Sequence, residues 1–182
     1  MWLWILIAMG VLIGLVFFRY FNRFVTLSNR IDNSLSQINV QLKRRADLIP
    51  NLVKSVKGFM KHEASAIKAV TEARKVLVGA KDMISKVKAN DKLEGVLSNL
   101  FALAENYPDL KANTNFLELQ RELATTEDKI AYARQFYNDS ILAYNDLCKT
   151  FPGTFFASIY GKKPKDYLQI TEIEKKAVKV DF

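Results

Sequence analysis

Few residues of this chain could do chemistry, and their spacing argues against most of it. The sole histidine, His62, is followed by Glu63, the start of a His-Glu-x-x-His pattern that puts two imidazoles on one helix face for zinc. The second imidazole position holds Ala66, so the pattern fails. Carboxylate-bridged metal bundles need paired Glu-x-x-His motifs, which one histidine cannot supply. None of the seven glycines falls in a phosphate-loop or dinucleotide pattern, and no serine stands with a base in a supporting context. Cys148, the one cysteine, excludes an intramolecular disulfide and reads as a small buried hydrophobe. No catalytic, cofactor-binding or metal-ligating residue is expected, and the chain reads as a non-enzyme with no cofactor.

What remains is the chemistry of lipid contact and of charge. The first eighteen residues, MWLWILIAMGVLIGLVFF, contain no charged side chain. At ~1.5 Å per residue they make a helix of roughly 27 Å, and Tyr20 and Phe21 at the rim extend it to the ~30 Å hydrocarbon thickness. Met1 to Phe18 is therefore read as a membrane span, with Trp2 and Trp4 at one interface. Gly10 and Gly14 form a GxxxG pair, which leaves a helix-dimer face and a homo-oligomer open. A cleaved signal peptide would need a basic stretch before the apolar run and a small-residue cleavage site after it; neither is present. Cations instead follow the run, at Arg19 and Arg23. By the positive-inside rule these two set a topology with the N-terminus outside and the remainder in the cytoplasm.

The net charge of +8 comes from 27 Lys and Arg against 19 Asp and Glu. The two signs interleave along most of the chain and no nucleic-acid-binding motif appears, so nucleic acid is not an expected partner. Basic charge beside a membrane has a simpler use against anionic headgroups.

The elements that must position these residues are helices. Phe24, Leu27, Ile31, Leu35, Ile38 and Leu42 recur every three or four residues, which is one buried helical stripe continuing from the span. Pro50 lacks an N–H and disfavours helical geometry at Ile49, so a turn is expected near Leu48 to Pro50. A second helix is predicted to about Gly79, with Ala80 to Asn90 as a connector. Asp91 and Glu94 suggest a capping box for a third helix ended by Pro108, and Asn115 with Glu118 a further one for a fourth. No strand is expected. The predicted fold is all-α: one N-terminal transmembrane helix followed by an antiparallel up-and-down four-helix bundle. Its expected parts are an anchor over 1–21, a cytoplasmic bundle over 22–150, and an aromatic and basic juxtamembrane segment with a tail over 151–182.

Two candidate surfaces follow from that geometry. An even number of helices returns the chain to the bilayer near Thr150. There Phe155 and Phe156 stand close to Lys162 and Lys163, a composition suited to a membrane interface and equally to capping the bundle's open end. Lys43, Arg44 and Arg45 would lie at the far tip, as a solvated end or a site for a protein partner.

The run RIDNSLSQINVQLKRRADLIPNLVKSVKGFMKHE, from Arg30 to Glu63, resembles the signature of the LemA family. So does ENYPDLKANTNFLELQRELATTEDKIAYARQFYN, from Glu105 to Asn138, followed by YNDLCKTFPG and GKKPKDY. The resemblance covers most of the chain beyond the span, in order. It implies a bacterial single-span protein of the inner (cytoplasmic) membrane with a helical bundle, and kinship with a magnetosome-membrane protein. It implies no reaction and supplies no catalytic residues. Two function classes remain: an interaction or scaffolding module presenting its bundle to an unidentified protein, and a protein that binds or shapes the bilayer through self-association.

Overall fold

The computed structural model describes residues 1–168. The tail expected within 151–182 therefore lies, from residue 169 on, outside the described residues. Among the described residues all regular structure is helical: α1 (Trp2–Lys57), α2 (Ala64–Gly79), α3 (Met83–Ala104), α4 (Pro108–Lys111), α5 (Thr114–Lys149) and α6 (Gly153–Ile159). Five helices thus follow α1, a correction to the four-helix expectation. The chain forms two compact units, Met1–Leu35 with Arg134–Leu168, and a second whose described part is Ser36–Ala133.

The 56 residues of α1 run through Pro50 without a break, so the turn expected at Leu48 to Pro50 is absent. The reason is local. A proline inside a helix deprives the carbonyl four residues earlier of its N–H partner. Here that carbonyl belongs to Ala46, and Arg74 Nε on α2 donates to it at 2.7 Å. The chain turns instead at residues 58–63, where Met60 is fully buried and its N–H bonds the carbonyl of Val56 at 2.9 Å.

The region expected to be a connector is also helical. Asp82, not Asp91, caps α3: its carboxylate accepts from the N–H of Ser85 at 2.9 Å and from the Ser85 hydroxyl at 2.7 Å. Those two bonds hold the Asp82 carboxyl below its ordinary pKa. Within the lysine-rich first turns of α3, Val87, Ala89 and Asn90 are buried. Asn113, rather than Asn115, opens α5 by accepting from the N–H of Phe116 at 3.1 Å. The third helix, expected to be ended by Pro108, stops four residues earlier at Ala104, and Pro108 opens the short α4.

The second unit's core is apolar side chains at helical spacing: Ile38, Leu42, Ile49, Leu52 and Val56 of α1, Val70, Ala73 and Leu77 of α2, Leu93, Leu97 and Leu100 of α3, and Phe116, Leu123 and Ile130 of α5. In the first unit, Phe24, Leu27 and Ile31 of α1 are buried, as are Tyr137, Ile141, Tyr144 and Cys148 of α5. There α1 and α5 run antiparallel, with Phe24 edge-on to Tyr144 at 5.7 Å between ring centroids.

Candidate functional site

Within the first unit, the end of the apolar run on α1 is where unlike chemistries meet. Among the described residues α1 is the one helix long and apolar enough to cross a membrane, and no residue of its apolar stretch is fully buried. The chain thus carries an N-terminal membrane-spanning helix, the single one among the described residues, consistent with single-pass anchoring. Trp2, Trp4 and Phe18 are exposed, Met1 is fully so, and Gly10 and Gly14 have nothing packed on them. Exposure changes at Phe17 and Tyr20, which are half-buried, and is complete burial by Phe24.

The covering element is α6. Phe156, 5% exposed, stacks on Tyr20 at 4.3 Å and meets Phe17 edge-on at 5.0 Å. Tyr160 meets Phe21 and Phe24 edge-on at 5.5 and 6.1 Å. Its hydroxyl donates to the backbone carbonyl of Phe17 at 2.8 Å. Two glycines let so short a helix be held so closely. Gly153 is buried, and a Cβ there would run into the Leu147 carbonyl oxygen on α5. Gly161, at φ 61°, takes the left-handed conformation that ends α6. The N–H of Lys162 then bonds the carbonyl of Ala157 at 2.8 Å, and that of Gly161 the carbonyl of Ser158 at 3.3 Å, a Schellman closure.

From Lys162 the chain is extended and lies along α5. Asn145 grips Lys165 twice: its Nδ2 donates to the carbonyl, and its Oδ1 accepts from the N–H, both at 2.8 Å. One heptad earlier, Asn138 grips Leu168 in the same way, at 3.1 and 3.0 Å. Each amide offers the strap what a neighbouring β-strand would. The Tyr137 hydroxyl donates to the Asp166 carbonyl at 3.3 Å, and the Lys165 ammonium lies over the Tyr144 ring, 5.3 Å from its centroid. Burial foremost, with Asp166 and Asp32 adding, pushes the Tyr137 hydroxyl above its ordinary pKa.

The sequence-predicted residues therefore divide. Phe155 and Phe156 are neighbours with opposite fates: Phe156 is buried against α1, and Phe155 is 56% exposed. Lys162 is half-buried and Lys163 exposed, while Arg19 and Arg23 are exposed on α1. Lys43, Arg44 and Arg45 are not at a tip, because α1 runs on to Lys57. Lys43 pairs with Asp47 at 2.6 Å and Arg44 with Glu122 at 2.6 Å, both exposed to solvent. Arg45 is 3% exposed, so its expected place facing solvent is corrected. It pairs with Glu127, and its Nη1 donates to Asn90 at 3.0 Å. Burial lowers its guanidinium pKa, opposed by the charges of Glu94 and Asp91. Arg45 is a core group. Sequence reasoning did not single out Asn138, Asn145 or Gly153; two asparagines seven apart on one helix face were the available signal.

His62 is exposed, and the described residues hold no group of three or more His, Cys, Asp or Glu able to take a metal ion. Cys148 is free and buried, and that burial raises its thiol pKa against the opposing charge of Lys149.

The LemA family model matches residues 34–182. The chain is 29% identical over 143 residues to Protein LemA of Metamycoplasma hominis, covering 76% of this chain and 65% of that one. It is 26% identical over 175 residues to Magnetosome protein MamQ 2 of Paramagnetospirillum magneticum, covering 82% and 64%. Against Magnetosome protein MamQ of Magnetospirillum gryphiswaldense it is 26% identical over 173 residues, covering 81% and 64%. The chain thus spans just under two thirds of the length of these curated relatives.

Proposed function

The chain belongs to the LemA family, and from that premise we propose that it is a non-enzymatic, membrane-anchored helical module that presents its α-helical body to a protein partner at the cytoplasmic face of a bacterial inner membrane. The observation that carries this reading is α1 itself. One unbroken helix is apolar over its first eighteen or so residues, with none of them fully buried, then carries a buried stripe at Phe24, Leu27 and Ile31. A helix of this kind leads from the bilayer directly into a folded body.

Orientation follows from charge. Arg19 and Arg23 are exposed directly after the apolar run, and α6 brings Lys162 and Lys163 to the same end of it. Clustered cations at one end of a span favour its cytoplasmic retention. The body's exposed polar surface, including Lys43 and Arg44, is the surface offered to a partner. Two measurements test the reading in intact cells. A compartment-dependent reporter fused at the C-terminus should be active only in its cytoplasmic form. Site-specific crosslinkers at Lys43 and Arg44 should capture one recurring protein, and capture of nothing beyond lipid and this chain itself would sink the scaffold.

A second reading, in which the protein acts on the bilayer through self-association, draws on Gly10 and Gly14, whose faces lie open, and on relatives named as magnetosome proteins. Replacing both glycines with isoleucine should abolish a crosslinked dimer under this reading. Under the scaffold reading the same replacement leaves partner capture intact.

A further inference from the structure

The short α6 and the residue before its turn carry two apolar faces, and only one of them meets protein. Gly153, Phe156 and Ala157 are buried, with Phe156 and Tyr160 against α1. Phe151, Phe155 and Ile159 recur every fourth residue and are 88, 56 and 50% exposed. A row of large apolar side chains in water is a liability unless something covers it.

The position of the row identifies what does. Tyr160 hydrogen-bonds the carbonyl of Phe17, and Phe156 packs on Phe17 and Tyr20, so α6 lies level with the last turn of the apolar run. Phe18 and Phe21, in the α1 turn that α6 packs on, are exposed as well. Cations flank the row in the sequence, with Lys149 before α6, Lys162 and Lys163 after it, and Arg19 and Arg23 on α1 just past Phe18. Large apolar side chains at this depth, flanked in the sequence by lysine and arginine, match the headgroup region of an anionic leaflet, where acyl chains take the rings and phosphates take the ammonium groups.

We infer that Phe151, Phe155 and Ile159 form a second membrane contact, inserted into the headgroup–acyl boundary of the leaflet from which α1 emerges, with Lys149, Lys162 and Lys163 selecting anionic lipid. The inference rests on reading Met1 to Phe18 as a span. Because Phe156 and Tyr160 tie α6 to α1, the inserted row acts as a depth stop: it fixes how far α1 rises out of the bilayer.

The test uses the full chain in vesicles of phosphatidylcholine and phosphatidylglycerol, with Trp2→Phe and Trp4→Phe removing the native indoles and Phe155→Trp introducing one. Lipids brominated high on the acyl chain quench indoles that reach them. The introduced indole is expected to be blue-shifted and to lose more than about half of its emission, as an interfacial residue does. That loss should shrink by at least about twofold in pure phosphatidylcholine or with Lys162→Glu and Lys163→Glu. Phe151→Trp repeats the measurement at a residue that packs on nothing, so a local perturbation at Phe155 cannot mimic the result. Quenching no stronger than that of a Tyr132→Trp control overturns the inference. So does a blue shift that depends on protein concentration without quenching, which means a second copy covers the row. In the unaltered chain, unquenched Trp2 and Trp4 would instead refute the span, which separates the two failures.

Discussion

Pro50 and Arg74 are coupled through one oxygen. The proline leaves the Ala46 carbonyl without its helical donor, and the Arg74 guanidinium supplies another at 2.7 Å. Arg74→Met should therefore cost about 1–3 kcal/mol in a denaturant titration, the penalty of an orphaned buried acceptor. In a Pro50→Ala background the backbone N–H returns to that carbonyl, so the same substitution should cost less by about 1 kcal/mol. Equal costs in both backgrounds would mean the bond contributes little. Proline is legible in a sequence as a helix breaker; a donor 24 residues away on another helix is not. A second residue-scale expectation concerns alkali. Burial raises the hydroxyl pKa of Tyr137 and Tyr144 above 10.0 and that of the Cys148 thiol above 9.0. The folded state thus holds these protons more tightly than the unfolded chain. Stability from this source is complete below the ordinary values and is lost as pH rises through the raised ones. On the alkaline side, unfolding free energy should hold from neutral pH to about pH 9 and decline beyond it, and Tyr144→Phe should flatten the decline.

At the scale of elements, the long helices were readable and the short ones were not. Stripes such as Phe24, Leu27 and Ile31, or Leu93, Leu97 and Leu100, recur every three or four residues and are buried, because a helix burying one face needs that spacing. The start of α3 was misread because Asn90, buried by its bond to Arg45, looks like a surface residue in a lysine-rich stretch. With seven residues, α6 is too short for a period to emerge, and its apolar side chains point two ways. Besides Phe156 and Tyr160, what holds it is a glycine and a backbone strap, neither of which leaves a hydrophobic pattern. Gly153→Ala should push α6 from Leu147 and cost about 1–3 kcal/mol, the usual range for forcing a side chain into a packed site. Asn145→Ala removes both bonds to Lys165. Hydrogen exchange at the Lys165 amide should then accelerate, while the Leu168 amide, still held by Asn138, keeps more of its protection. Equal loss at both would mean the strap opens as one piece.

For the molecule as a whole, the span and the fold cannot be treated as separable parts. Phe17 and Tyr20 belong to the helix that emerges from the bilayer, and they are also what Phe156 packs on. The natural place to cut a soluble fragment, just after residue 21, would strip α6 of Phe17, Tyr20 and Phe21, leaving Phe24 of its α1 aromatic partners, and of the Phe17 carbonyl that Tyr160 bonds. A cut at Thr150 would remove α6 and the strap, leaving Asn138 and Asn145 without their backbone partners. The described core of the second unit comes from residues 36–133, among them Leu42, Leu52, Leu97 and Leu123, and none of these is removed by either cut. A chain lacking residues 1–21 should therefore show a split response in hydrogen exchange: protection over 153–168 falls toward that of an unfolded segment, while protection over the buried stripes of 36–133 is retained. Uniform loss would mean that the two units fold as one, and uniform retention would mean that α6 holds to α5 without Phe17, Tyr20 and Phe21. On the split outcome, partner capture has to be carried out with the anchored chain, since a soluble fragment would expose Phe156 and bind apolar surfaces that the intact protein never meets.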